Sequence, residues 1–206
     1  MSTRLIVARH GNTFTSDQTP TRVGCRTDIP LVESGRTQAL RIGTYFKDKG
    51  ITPTAIYTSE LKRTIEMAAI IKETAMLNAS AKALPVFNEI DYGPDENMPE
   101  DKVIERIGIE AIEKWNETAT PPQGWIVDTK QIIQDLKEFA QMCVENHHGE
   151  TILAITSNGV ARFLPHLLET TEHFTQDLKV STGAFCVLEK DDNQKFWKIT
   201  EWNKRP

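Results

Sequence analysis

The chain has 206 residues, 39% hydrophobic and 26% charged, enough to bury a sizeable core and short enough for a single domain over residues 1–206. Its net charge of -5 argues against a nucleic-acid partner, so an anionic ligand must be attracted by a local basic pocket rather than by the field of the whole molecule. The three cysteines, Cys25, Cys143 and Cys186, are odd in number and lack Cys-x-x-Cys spacing, which opposes a disulfide framework or a thiolate zinc site and points to a reducing compartment.

In chain order, Leu5-Ile6-Val7-Ala8 reads as a short strand buried on both faces. It is too short for the core of a signal peptide, and no later run reaches membrane-spanning length, so a cytoplasmic protein with no membrane partner is expected. Pro30 fixes an extended entry to a helix for which Ser34 is a candidate cap; Ala39, Ile42, Gly43 and Phe46 recur at helical spacing and stop at Gly50. Ala55-Ile56-Tyr57 is a second buried strand, with Ser59 placed near the N-cap of a helix carrying Arg63. Thr118 to Gly124, with Pro121-Pro122, is a loop before a further helix, whose stripe of Ile132, Ile133, Leu136, Phe139, Ala140 and Cys143 follows an Asp128…Gln131 capping pattern. Thr151 to Thr156 is a third buried strand, after which Gly159 is expected to open a helix through Val160, Arg162 and Phe163. Ala184 to Leu188 and Trp197 to Trp202, joined across Asp191-Asp192-Asn193, read as an antiparallel pair. Strands alternating with helices predict an α/β fold of three layers, a mostly parallel sheet with helices on both faces.

Several residues suit phosphate chemistry. His10 lies just past the first strand, where a parallel sheet opens its ligand crevice; Gly11 lets backbone come close to a ligand, and Arg9 and Thr13 add donors. Taken alone, a strand-end histidine is more often a hydrogen-bonded structural residue, although a neutral imidazole there can attack a phosphoryl group. Arg63 would by composition be a solvated helix residue, and Glu89, with Asp91 as its competitor, a solvated loop carboxylate. His147-His148 has no matching Cys or acidic cluster and reads as surface loop; no metal and no cofactor are expected. His166 and His173 have no partners in sequence.

Arg9-His10-Gly11-Asn12-Thr13, the block Asp28 to Ala39, Ser59-Glu60-Leu61-Lys62-Arg63-Thr64 and Asn88-Glu89-Ile90-Asp91-Tyr92-Gly93 together resemble the histidine phosphatase superfamily, the phosphoglycerate-mutase-like enzymes. The resemblance spans the chain from Arg9 to Trp202-Asn203. It implies that His10 takes the phosphoryl group, that Arg9 and Arg63 clamp its oxygens, and that Glu89 protonates the leaving oxygen and later helps activate water. Thr13, Ser157 and Asn158 would complete the phosphate site, and Asn12, Ser16 and Cys25 its substrate rim.

The chain departs from the family pattern in several places. Cys25 stands for a usual glycine, Ser16 for a frequent asparagine, and Gly124-Trp125-Ile126 for a Gly-Glu-Ser. Above all, Ser157 occupies the strand end where the family carries a second catalytic histidine; Thr156, Ser157, Asn158 and the free N–H groups of the following helix are expected to offset its loss, while Arg162 is expected to serve the helix. The leading expectation is a metal-independent phosphomonoesterase acting on a small phosphorylated metabolite through a phosphohistidine. Two alternatives remain: a mutase, opposed here by a chain that stops at Pro206 without the mutases' longer insert and tail, and a phospho-ligand-binding module that has lost turnover. A second copy of the chain, as a homodimer, is the other partner to test.

Overall fold

The computed structural model describes residues 1–172 and 174–206; His173, one of the histidines without a sequence partner, lies outside the described residues. Strands β1 (Ser2–Arg9), β2 (Ala55–Thr58), β3 (Ala81–Ala83), β4 (Thr151–Thr156), β5 (Phe185–Asp191) and β6 (Lys198–Lys204) form one sheet in the order β3-β2-β4-β1-β5-β6. The pairs β1/β4, β2/β4 and β2/β3 are parallel, whereas β5 runs antiparallel to both β1 and β6.

The central strands are apolar throughout because both faces are covered. Leu5 and Val7 of β1 and Ile152 and Ala154 of β4 point into one core, beside Phe139 and Cys143 of helix α5 (Thr129–Asn146). Ile6 and Ala8, with Leu153 and Ile155, point into the other, against Ile42 and Phe46 of α1 (Glu33–Lys49) and Met67 and Ile71 of α2 (Lys62–Thr74). Side chains in a strand alternate between faces, so a continuous run of branched residues feeds both layers. The expected three-layer α/β architecture is what the chain adopts. Two short helices, α3 (Glu100–Ile107) and α4 (Ile109–Thr118), precede the Pro121-Pro122 loop. Among the described residues, no helix is long and apolar enough to cross a membrane.

Helix boundaries follow the sequence where the signals are local. Gly50 ends α1 at φ 64°, a left-handed conformation that glycine adopts without a Cβ penalty, and the Asp128 side chain accepts from the Gln131 N–H to cap α5. Elsewhere the caps are tertiary. Helix α2 begins at Lys62, later than Ser59 suggests: the Ser59 hydroxyl accepts from Leu61 N–H, and Asp28 Oδ1, from a distant loop, accepts from Lys62 N–H at 2.7 Å. Ser34 likewise does not cap α1, since Val32 is the N-cap and the Ser34 hydroxyl accepts instead from Asn12 Nδ2. Helix α6 (Asn158–Ala161) has only four residues and stops short of Phe163. The edge strand β3, exposed along its length and made of Ala-Lys-Ala, carries no apolar pattern to betray it.

Candidate active site

The carboxyl ends of β1 and β4 open into a crevice of about 740 Å³, lined by Arg9, His10, Asn12, Thr13, Ser16, Glu89, Tyr92, Asn158 and Arg162 among others. A parallel sheet leaves its strand-end backbone groups and the following loops here, on a rigid base. His10 is fixed at the junction of β1 and β4 by donation from its N–H to the Thr156 carbonyl at 3.0 Å. The Gly11 backbone comes close to α1 rather than to a ligand, because a Cβ there would sit 2.5 Å from the Gly35 carbonyl oxygen. That contact locks the loop after β1 against the start of α1.

Hydrogen bonds set the chemical form of His10. Its Nδ1 is 2.8 Å from the Gly11 carbonyl, which can only accept, so Nδ1 carries the proton; Nε2 accepts from Arg63 Nε–H at 3.2 Å. Burial, followed by the charges of Arg63 and Arg9, holds the imidazole pKa well below 6.5. The ring is therefore neutral at physiological pH, with its lone pair on Nε2.

Arg63 is fully buried behind His10, and is not on the crevice wall. Its Nη1 donates to the Thr27 carbonyl at 2.9 Å and its Nη2 to that of Gly24 at 3.2 Å, which aims Nε–H at His10. Arg9 is partly exposed on the wall; Nη1 donates to the Val180 carbonyl at 2.6 Å, while the buried Nε has no hydrogen-bond partner. Burial lowers the pKa of both guanidiniums, and neither makes an ion pair among the described residues.

Glu89 is buried at the crevice floor. Its Oε1 accepts from Ile90 N–H at 3.0 Å and Oε2 from Gly159 N–H at 3.3 Å. Burial raises its pKa against the opposing pull of those donors and of Arg63. The neighbouring Tyr92 phenol is likewise pushed up, first by burial and then by Glu89. Asp91 lies off the wall, paired with Arg26 at 3.0 Å and accepting from Gly93 N–H.

The remaining expected site residues divide. Asn12, Thr13, Ser16 and Asn158 line the crevice; Asn12 Oδ1 is engaged by the Thr182 hydroxyl at 2.6 Å, and Asn158 Oδ1 accepts from Val180 N–H at 2.9 Å. Cys25 does not reach it; it sits beside Asp91 and Glu96, and burial and those charges raise its thiol pKa. Ser157 is wholly buried off the wall, with an Oγ that has no hydrogen-bond partner. Thr156 spends its hydroxyl on the Phe87 carbonyl at 2.8 Å, and the Gly159 N–H is turned to Glu89 rather than left free for an anion. The Thr156 and Ser157 hydroxyls and the Gly159 N–H expected around the strand end are thus committed elsewhere or sealed away.

Sequence reasoning also missed wall residues. Arg22 lies over the Tyr92 and Trp125 rings and forks onto Glu100, with Nη2 at 2.6 Å from Oε1. Arg162 serves its helix as expected, with Nε donating to the Asn158 carbonyl at 3.3 Å, and also lines the crevice. A signal was available: it falls one helical turn after Asn158, on the same face.

The family model of the histidine phosphatase superfamily (branch 1) matches residues 5–205. A 2,3-bisphosphoglycerate-dependent phosphoglycerate mutase of Corynebacterium diphtheriae is 26% identical over 222 aligned positions, covering 92% of this chain and 86% of the relative. Among solved structures, YhfR of Bacillus stearothermophilus superposes with a TM-score of 0.80 at 24% identity, covering 99% of this chain and 98% of that one. The α-ribazole phosphatase of Shigella flexneri does so with a TM-score of 0.72 at 21% identity, covering 98% and 96%. The fold and the sequence match agree, and the chain belongs to the histidine phosphatase superfamily.

Proposed function

We propose that the protein is a metal-independent phosphomonoesterase that acts on a small phosphorylated metabolite through a phosphohistidine on His10. One observation carries this reading: a neutral imidazole with its lone pair on Nε2 is near two guanidiniums, Arg63 buried and Arg9 on the wall, that have no carboxylate ion pair among the described residues, and near a carboxyl whose pKa burial raises. Unpaired buried cations are costly, and a phosphoryl group entering the crevice relieves that cost.

In the first step His10 Nε2 bonds to phosphorus as the ester P–O bond breaks, and the departing oxygen takes the proton of Glu89. Arg63 Nε–H, which engages Nε2 in the free protein, is released to the phosphoryl oxygens, and Arg9 holds them from the wall. In the second step water gives a proton to the Glu89 carboxylate and attacks phosphorus; the P–N bond breaks, returning neutral His10, protonated Glu89 and inorganic phosphate. The guanidiniums supply the positive charge that a two-metal phosphatase draws from its ions, so the chemistry is positioning plus electrostatics.

Mutase chemistry is the second reading, favoured by the mutase relative at 26% identity. It shares the phosphohistidine but passes the group to a second substrate oxygen instead of water. Phosphate release from an aryl phosphate, with and without chelator and with phosphoglycerate as competing acceptor, tests the proposal. Rapid release indifferent to acceptor supports hydrolysis, transfer of label to the acceptor supports the mutase, and vanadate binding without either reaction supports a binding module.

A further inference from the structure

We infer that Arg162 is the cationic donor that meets the phosphoryl group at the strand end where the family carries its second histidine and this chain carries Ser157. The inference rests on the phosphatase reading and adds a residue to it.

The sealed Ser157 hydroxyl cannot do this work, because it is wholly buried and absent from the crevice wall. Arg162 is on that wall, although only 2% exposed. Its guanidinium is held on three sides. Nε donates to the Asn158 carbonyl at 3.3 Å, Nη1 donates to the Trp115 carbonyl at 2.5 Å, and the plane stands over the Trp115 ring at 4.0 Å. Nη2 has no protein partner among the described residues, yet it is not one of the polar atoms sealed from solvent, so it is the arm that reaches the crevice.

The charge balance points the same way. Burial lowers the Arg162 pKa to about 10, so the group stays cationic at neutral pH, and no carboxylate pairs with it among the described residues. The carboxyl that acts on it across the crevice is Glu89, itself driven toward its neutral form by burial. A buried cation held rigidly by carbonyls and a ring, with one donor arm left over, is arranged to receive an anion. The Asn158 carbonyl that anchors it is one residue past Ser157, which ties the guanidinium to the segment that follows β4.

The test compares wild type with Arg162→Gln, Arg162→Met, Ser157→His and the double variant Ser157→His/Arg162→Gln. It reads kcat and KM on an aryl phosphate, vanadate affinity by calorimetry, and thermal melting. Loss of one preorganised transition-state donor predicts a fall in kcat of about 10²–10³ in Arg162→Gln, with vanadate affinity weakened as well. The double variant is expected to recover at least about tenfold of that loss, because an imidazole restored at 157 supplies the same donor by another route. A folded Arg162→Gln protein with unchanged kcat and vanadate affinity overturns the inference, as does a loss that histidine at 157 leaves untouched. If the glutamine variant melts below assay temperature, Arg162→Met, which keeps a side chain over Trp115 but no donor or charge, takes its place: wild-type kcat and vanadate affinity in it overturn the inference. Absence of turnover in wild type refutes the phosphatase reading alone, and the vanadate affinities of the same variants then judge Arg162.

Discussion

Arg63 Nε–H donates to His10 Nε2 at 3.2 Å, so a fully buried guanidinium rests on the lone pair of the proposed nucleophile. The contact keeps the imidazole unprotonated at that nitrogen, and in the proposed reaction it is exchanged for one to the phosphoryl oxygens. Replacing His10 with alanine should abolish turnover and any acid-labile phosphoryl label. Because the His10 pKa lies well below 6.5, kcat/KM in wild type should not lose its nucleophile as pH falls through 6.5. Label trapped in His10→Ala would move the nucleophile elsewhere, and an acid limb near 6.5 in wild-type kcat/KM would contradict the lowered pKa of the buried ring.

Glu89→Gln should slow an alkyl phosphate more than an aryl phosphate, since a good leaving group needs less protonation. Asp91→Asn should have the smaller effect, because Asp91 is paired with Arg26 off the crevice wall. Equal losses on both substrates would remove the acid role from Glu89.

The same carboxyl makes a stability prediction. Its folded pKa is raised above the ordinary 4.5, so between those values the folded chain binds more protons than the unfolded one, and stability contributed by this group is lost as pH rises. Relative to wild type, Glu89→Gln should gain ground as pH increases above 4.5 toward the folded pKa. Urea melts of both proteins across that range check it; a difference that is flat or of opposite slope contradicts the raised pKa of this carboxyl.

Exhaustive dialysis against EDTA should leave phosphate release unchanged, because Arg9, Arg63 and Arg162 provide the cationic field. Loss of rate that magnesium or manganese restores would require a different mechanism.

Gly159→Ala should disturb the acid directly. A Cβ there would stand 2.1 Å from Glu89 Oε1, so the carboxyl must move from its floor position. Overpacking of this kind costs about 1–3 kcal/mol, and turnover of the alkyl substrate should fall with it. Wild-type melting and activity in this variant would show that the floor yields freely.

The order and identity of the elements around the site are legible in the sequence because their signals are local. Branched apolar runs at Leu5–Ala8 and Thr151–Thr156 mark strands covered on both faces, Gly50 and Asp128 mark helix ends through φ preference and capping, and the ordered motifs around His10, Arg63 and Glu89 mark the family. What the sequence does not determine is which way a polar group turns once distant segments close over it. Asp28 rather than Ser59 meets the start of α2, and Thr156 spends its hydroxyl on Phe87. Ser157 is sealed, and Arg162 bridges the Trp115 and Asn158 carbonyls at the crevice wall. The protonation states of His10 and Glu89 belong to the same class, since burial contributed by several loops at once is the largest cause of both shifts. Residue type and spacing therefore determine which chemistry is available, and only tertiary packing, through desolvation and competition among nearby donors and acceptors, decides which atoms are left to perform it.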